Sequence, residues 1–201
     1  MAVIVRQLNP GPFTKYQSYK PYLRKEFLYR CAYCTLHEGD VGAGGVWHYC
    51  VEHFRPKKKF PELLCVYSNL YYACPFCNTT KNETWPSDKH IKQGFYFVDP
   101  CKEDFYVDHT EEQDDGRLTH KTNAGFYTIE HLLLNRRFFR KMRKDRREAQ
   151  AKIAELLSLL TSLKQQSSIN ADSINAIEGQ IVLLEQRYLN PLVPYEMEDQ
   201  R

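Results

Sequence analysis

The sequence predicts an α+β protein: a core of short strands and helices stapled by thiols, preceded by a helix and followed by an antiparallel helical region. Three observations carry that expectation. Two Cys-x-x-Cys pairs, Cys31/Cys34 and Cys74/Cys77, stand far apart in the chain. The segments between them are short, apolar and punctuated by Gly and Pro, as strands and turns are. From Thr128 onward, apolar residues recur at spacings of three and four, the period of a helix face.

The elements follow in order. Val3 to Val5 is a short apolar start, and Pro10-Gly11-Pro12 is a turn. Pro21 is tolerated in the first turn of a helix running to about Arg30, with Tyr22, Leu23, Phe27 and Leu28 as its apolar residues. That helix delivers the chain to Cys31. Gly39, Gly42, Gly44 and Gly45 mark a loop, Val46 to His53 reads as a strand, and Leu63 to Tyr67 leads into Asn69. From about Pro75 the chain turns through the second thiol pair into a short helix. Residues 92–127 read as irregular, with short strands at Gly94 to Val98 and Phe105 to Val107, and the acidic run from Glu111 to Gly116 reads as a solvated turn. Ala149, Ile153, Leu156, Leu160 and Leu163 form one apolar stripe, and Ile174, Ile177, Ile181, Leu184 and Tyr188 a second. A polar, helix-starting stretch from Gln165 to Asp172 separates them, which predicts two antiparallel helices. Pro191 and Pro194 stop the second, and a polar tail follows. The expected division is 1–30, an N-terminal strand and helix; 31–127, a metal-bound core with an irregular extension; and 128–201, a basic helical region and tail.

Composition narrows the class. The 201 residues carry a mild net charge of +3. The N-terminal Met-Ala-Val-Ile-Val is too short for a signal sequence, and no run of about 18 apolar residues is present, so no membrane span is expected. The seven cysteines are an odd number. Without a secretory signal their thiols are expected to be reduced, in a cytoplasmic protein, and to favour metal over disulfides.

Two x2-spaced thiol pairs close a tetrahedron around Zn²⁺, because each pair reaches one edge through a tight turn. Four thiolates leave no open position, so that ion is structural. Cys50 and Cys65 lie in apolar contexts and read as core residues. Between the pairs stand Glu52 and His53. An imidazole near neutral pKa suits deprotonation of water, and the oxygens of Glu52 and Asn78 suit a hard divalent cation that polarises a phosphate. Neighbours on a strand point to opposite faces, so a kink or the strand end is needed for both to serve one site. Arg55, Lys57, Lys58 and Lys81 are placed to grip phosphates near that site. A denser block from Arg136 to Arg147 supplies further candidates, Arg140, Arg143 and Lys144, on a helix whose Leu132, Phe138, Phe139 and Met142 are expected to pack inward.

Glu52-His53, Asn69, Asn78 and Lys81, framed by the thiol pairs, resemble the HNH endonucleases, of the variant ending in Asn, over about residues 31–81. The resemblance implies a zinc-stapled ββα-metal core. It implies that His53 activates the attacking water, that Glu52 and Asn78 ligate Mg²⁺ or Mn²⁺, and that Asn69 braces the loop around His53. Many members have Asp where this chain has Glu52. Glu52-His-Phe-Arg-Pro-Lys57, the run Asn69 to Asn78, Asp99-Pro100 and Leu134-Asn135-Arg136 further resemble the retron- and Septu-associated antiphage branch, the PtuB nucleases. That branch implies an ABC/SMC-like ATPase partner, PtuA; the helical pair, whose apolar stripe is distant in sequence from the site, and the tail around Pro191, Pro194 and Tyr195 are the candidates for its docking. The function so implied is metal-dependent hydrolysis of DNA with little sequence specificity. Two alternatives stand beside it: an RNase acting on tRNA, and a non-catalytic zinc adaptor that binds nucleic acid or the ATPase.

Overall fold

A computed structural model describes residues 3–165 and 171–189. The chain enters as an extended segment and forms α1 (Lys20–Glu26), which has Pro21 in its first turn and buries Leu23 and Arg24. α1 is shorter than the sequence suggests. Leu28 and Tyr29 both adopt positive φ (50° and 60°), which no α-helix accommodates. After the first thiol turn a single-turn helix, α2 (Gly45–His48), precedes β1 (Cys50–His53). The strand expected over 46–53 therefore begins only at Cys50. β1 pairs antiparallel with β2 (Leu70–Ala73), Glu52 opposite Tyr71 and His53 opposite Leu70. α3 (Pro75–Lys81) follows directly.

Residues 94–98 are not a strand, and residues 105–109 form a turn of wide helix. The second strand pair lies later, as the hairpin β3 (Thr110–Glu112) and β4 (Leu118–His120). It follows α4 (Asp88–Lys92), which Ser87 caps at its N-terminus. The acidic run is thus partly strand. Its turn contains Gly116 at φ +77°, where an added Cβ would lie 2.1 Å from the Arg140 carbonyl oxygen. Only glycine lets this hairpin lie against the helix beneath it.

α5 (Asn123–His131) starts at a Thr122 cap that accepts from the Gly125 N–H. The expected boundary at 127/128 falls inside this helix. α6 (Arg137–Lys164) is the longest element, and α7 (Ala171–Leu184) returns along it. Lys164 pairs with Glu178 at 2.9 Å, while Ile153 and Leu156 share a core with Ile181 and Leu189, so the two helices run antiparallel. The residues of both apolar stripes are buried or half-buried. The tail beyond Leu189, with Pro191, Pro194 and Tyr195, lies outside the described residues.

One large core runs from Tyr19 through the thiol turns and the β1–β2 pair to Phe139. The expected segments 1–30 and 31–127 therefore share a single core rather than dividing there. The N-terminal segment is bolted to it. Arg6 donates to the carbonyls of Tyr67 (3.0 Å) and Leu70 (3.1 Å) and pairs with Glu26 at 2.6 Å. No helix among the described residues is long and apolar enough to cross a membrane.

Candidate metal centre and the adjoining cleft

The first thiol pair sits in a tight turn after α1. The Cys31 N–H donates to the Leu36 carbonyl (2.8 Å), and the Thr35 N–H donates to that of Cys31 (3.0 Å), with Thr35 at φ 62°. The turn is tied to the sheet by the Ala32 N–H donating to Tyr72 O at 2.8 Å. The second pair opens α3. Cys74 is its N-cap, with Sγ accepting from the Cys77 N–H, and Pro75 takes the first helical position, where no N–H is needed. The four sulfurs of Cys31, Cys34, Cys74 and Cys77 all lie within 4.8 Å of one another and are buried. Burial opposes charge on these thiols, and it raises Cys34 well above the ordinary range. Hydrogen bonds from the other three thiols overcome burial at Cys31 and push it well below. The donor set fits a closed tetrahedral ion such as structural Zn²⁺.

Beside this centre opens a cleft of about 580 Å³ whose lining includes Glu52, His53, Asn78, Lys57 and Glu83. Glu52 and His53 are successive residues of β1, and both line it. His53 is the last residue of the strand, where the chain bends away. Its ring packs edge-on against Tyr16 at 4.7 Å, and its Nε2 lies 3.0 Å from the Leu64 carbonyl. A carbonyl only accepts, so in the neutral ring Nε2 carries the proton and Nδ1 keeps a lone pair. Burial lowers the His53 pKa, which favours that neutral form.

Asn69 closes the base of the long loop that follows His53. Its Oδ1 accepts from the Arg55 N–H (2.9 Å), its Nδ2 donates to the Arg55 carbonyl (3.1 Å), and its own carbonyl accepts from Phe54 N–H (2.9 Å). Both ends of one carboxamide are spent on the backbone two residues from the imidazole.

Glu52 is 5 % exposed and ion-paired to Lys81 at 2.7 Å, yet its Oε1 has no well-aligned hydrogen bond. Burial pushes its carboxyl up to about 7, against the attraction of Lys81. The Asn78 carboxamide lines the cleft and makes no hydrogen bond among the described residues. A buried, imperfectly satisfied carboxylate beside an uncommitted carboxamide is a donor pair that fits a hard divalent cation. Sequence reasoning missed Glu83, whose carboxylate lines the same cleft and whose Oε2 is buried without a hydrogen bond. The left-handed Asn82 (φ 43°), which ends α3, turns the chain there, and nothing in the sequence spacing announced it.

The expected phosphate contacts divide. Lys57 lines the cleft, its ammonium 5.3 Å from the Tyr16 ring centre, and Lys58 is exposed on the same loop. Arg55 is exposed, with its guanidinium over the Phe60 and Trp85 rings. Lys81 points inward instead. It is fully buried, bound to the Glu52 carboxylate and donating to the His53 carbonyl at 2.9 Å. Arg143 is 2 % exposed and donates to the carbonyls of Gly116 (2.7 Å) and Leu134 (2.8 Å). These two cations are structural because the fold presents them with acceptors before any ligand arrives. Arg140 pairs with Asp115, Arg147 with Glu112 (2.9 Å) and Lys144 with Glu148 (3.6 Å). Two cations of the basic block, expected to face phosphates, are thus partnered by the acidic run, expected to be a solvated turn. Phe138, expected inside, is exposed, whereas Leu132 and Phe139 are buried.

No family model, no curated protein and no solved structure matches this chain.

Proposed function

We propose that this chain is a divalent-metal-dependent HNH endonuclease that hydrolyses phosphodiester bonds, with DNA as the favoured substrate. The observation that carries the reading is the cleft: one opening lined by a neutral-leaning imidazole, a buried carboxylate and an uncommitted carboxamide. In it, His53 Nδ1 accepts the proton of the attacking water, and the carbonyl of Leu64 holds the ring in the tautomer that allows this. Asn69 keeps the loop that carries the ring in place. Glu52 and Asn78 would hold the cation. When bound, Mg²⁺ or Mn²⁺ supplies Lewis-acid polarisation of the scissile phosphate and charge neutralisation at the leaving oxygen. Lys57 and Lys58 hold the flanking backbone by charge.

The zinc clamp is structural in this reading. By resemblance to the antiphage branch, the nuclease acts in the cytoplasm as an effector under an ABC/SMC-like ATPase. Incubation with plasmid DNA and with total tRNA, each with Mg²⁺ or Mn²⁺, tests the chemistry. Cleavage of the plasmid is expected. His53→Ala should lower the rate by about 10²–10⁴-fold, the range for loss of a general base, with zinc content and melting temperature unchanged. Equal rates for the two proteins would remove the imidazole from the mechanism, and cleavage of tRNA alone would change the substrate.

A further inference from the structure

The fold leaves one aromatic surface uncovered on the side of α3 turned away from the cleft. Asn78, Thr79 and Asn82 line the cleft, whereas Phe76 and Thr80, four apart, share another face. Phe76 is 46 % exposed and Phe138, from the start of α6, 52 %. Their rings lie side by side, centroids 6.1 Å apart and 32° from parallel. Both lean on the buried Phe139 ring, Phe76 edge-on at 6.3 Å and Phe138 at 5.7 Å, so the pair rests on a rigid floor.

Where α6 begins beside α3, two arginines stand next to this pair. Arg136 reaches from α6 to α3 and donates to the Thr80 hydroxyl at 3.2 Å. Arg137 is exposed, and neither arginine has a carboxylate partner among the described residues. Further along α6 the cations are answered by acids, Lys141 by Asp145, Arg140 by Asp115 and Arg147 by Glu112. Phe138 also lines a groove in which Asp40 and Asp145 stand together with Lys141, Arg146 and Arg187. Arg136 and Arg137, exposed and unanswered by a carboxylate among the described residues, therefore put positive charge at the start of α6, next to Phe138 in the chain.

We propose that Phe76 and Phe138, flanked by Arg136 and Arg137, form a stacking platform for the bases of an unpaired nucleic-acid strand that passes over α3 from the cleft. Flat rings offer stacking to any base, and arginines offer charge to the phosphates between them. A duplex hides its base faces and gains only the charge term. With side chains a helix is only about 10–12 Å across, so a short stretch of strand joins cleft to platform. The proposal rests on the nucleic-acid reading above and narrows it to substrates with single-stranded segments.

The test is fluorescence anisotropy on the full chain carrying His53→Ala, with labelled oligo-dT, oligo-rU and blunt duplex of about 15 nucleotides, within the site sizes of single-strand binders. Replacing Phe76 and Phe138 together by Leu keeps the apolar cover over Phe139 but removes the rings. Single-strand affinity should fall by about tenfold or more, the scale of a lost stacking contact, with duplex affinity unchanged. Arg137→Glu should weaken both and lower the salt slope by about one. The dT and rU arms show which sugar the platform accepts. Unchanged single-strand affinity in the Leu variant, or a change in sedimentation in place of a change in binding, would overturn the platform. Platform-dependent binding by a wild-type chain that cleaves neither DNA nor RNA would retire the nuclease reading and leave the platform standing.

Discussion

The thiol clamp and the cleft beside it rest on the same strand pair and the same short helix, and they are finished in opposite ways. In the clamp the four sulfurs face one another and are buried, and backbone hydrogen bonds from Cys31, Ala32 and Thr35 hold the first thiol turn. In the cleft a carboxylate, an imidazole and a carboxamide stand at an open surface with part of their bonding capacity unused. α3 serves both: Cys77 points into the clamp, Asn78 into the cleft, and Lys81 beneath Glu52. Closure suits the clamp to stability, the unused bonding capacity of the cleft suits it to taking a ligand, and one helix ties the second to the first.

The strongest test of that dependence is Cys74→Ser. It removes a ligand and the cap of α3 together. Zinc binding in small modules contributes on the order of 10 kcal/mol of folding free energy, so the variant should lose zinc and unfold at ambient temperature. Metal analysis and circular dichroism report both. A folded, zinc-free variant that still bound Mn²⁺ in the cleft would break the link between the two sites.

Next in size is Lys81→Met. Removing one member of a buried ion pair leaves the other uncompensated and costs on the order of 3–5 kcal/mol, read as a shift in the urea midpoint. An effect confined to nucleic-acid affinity would instead return Lys81 to the phosphate-gripping role the sequence suggested.

The smallest effect is graded with pH. Burial first, and only partly offset by Lys81, raises the Glu52 carboxyl to about 7. A proton and a cation compete for the same oxygen. Mn²⁺ affinity should therefore rise as pH climbs through about 7 and level off above it, measured by titration calorimetry on the zinc-loaded protein. A flat profile would take Glu52 out of the ligand set.

The parts legible in sequence are those fixed by local spacing. Thiols three positions apart had to share a turn, and apolar residues at three and four had to share a helix face, as Ile153 and Leu156 do on α6, packed against Ile181 of α7. Pro75 marked where the chain changes course into α3, although the helix begins there and already includes Cys77. The parts that were not legible depend on partners distant along the chain. Nothing near Lys81 or Arg143 reveals that a carboxylate or a row of carbonyls waits for it, so each read as a surface cation. The 46–49 segment alternates weakly enough to pass for strand, and the β3–β4 hairpin was hidden because its strands have three residues each. Glu83 was missed for a similar reason, since a single left-handed residue, Asn82, decides where its side chain goes.

One feature of α6 has a mechanical consequence. Its 28 residues extend about 42 Å at ~1.5 Å each. The bonds that fasten it to the large core lie in its first half: Arg143 on Gly116 and Leu134, Arg147 on Glu112, and Arg146 on the Thr35 hydroxyl at 2.9 Å. Thr35 directly follows Cys34. The outer half, with α7 alongside, is thus the long arm of a lever whose fulcrum sits one residue from a sulfur of the four-thiol cluster, and sideways force on its tip arrives there as torque.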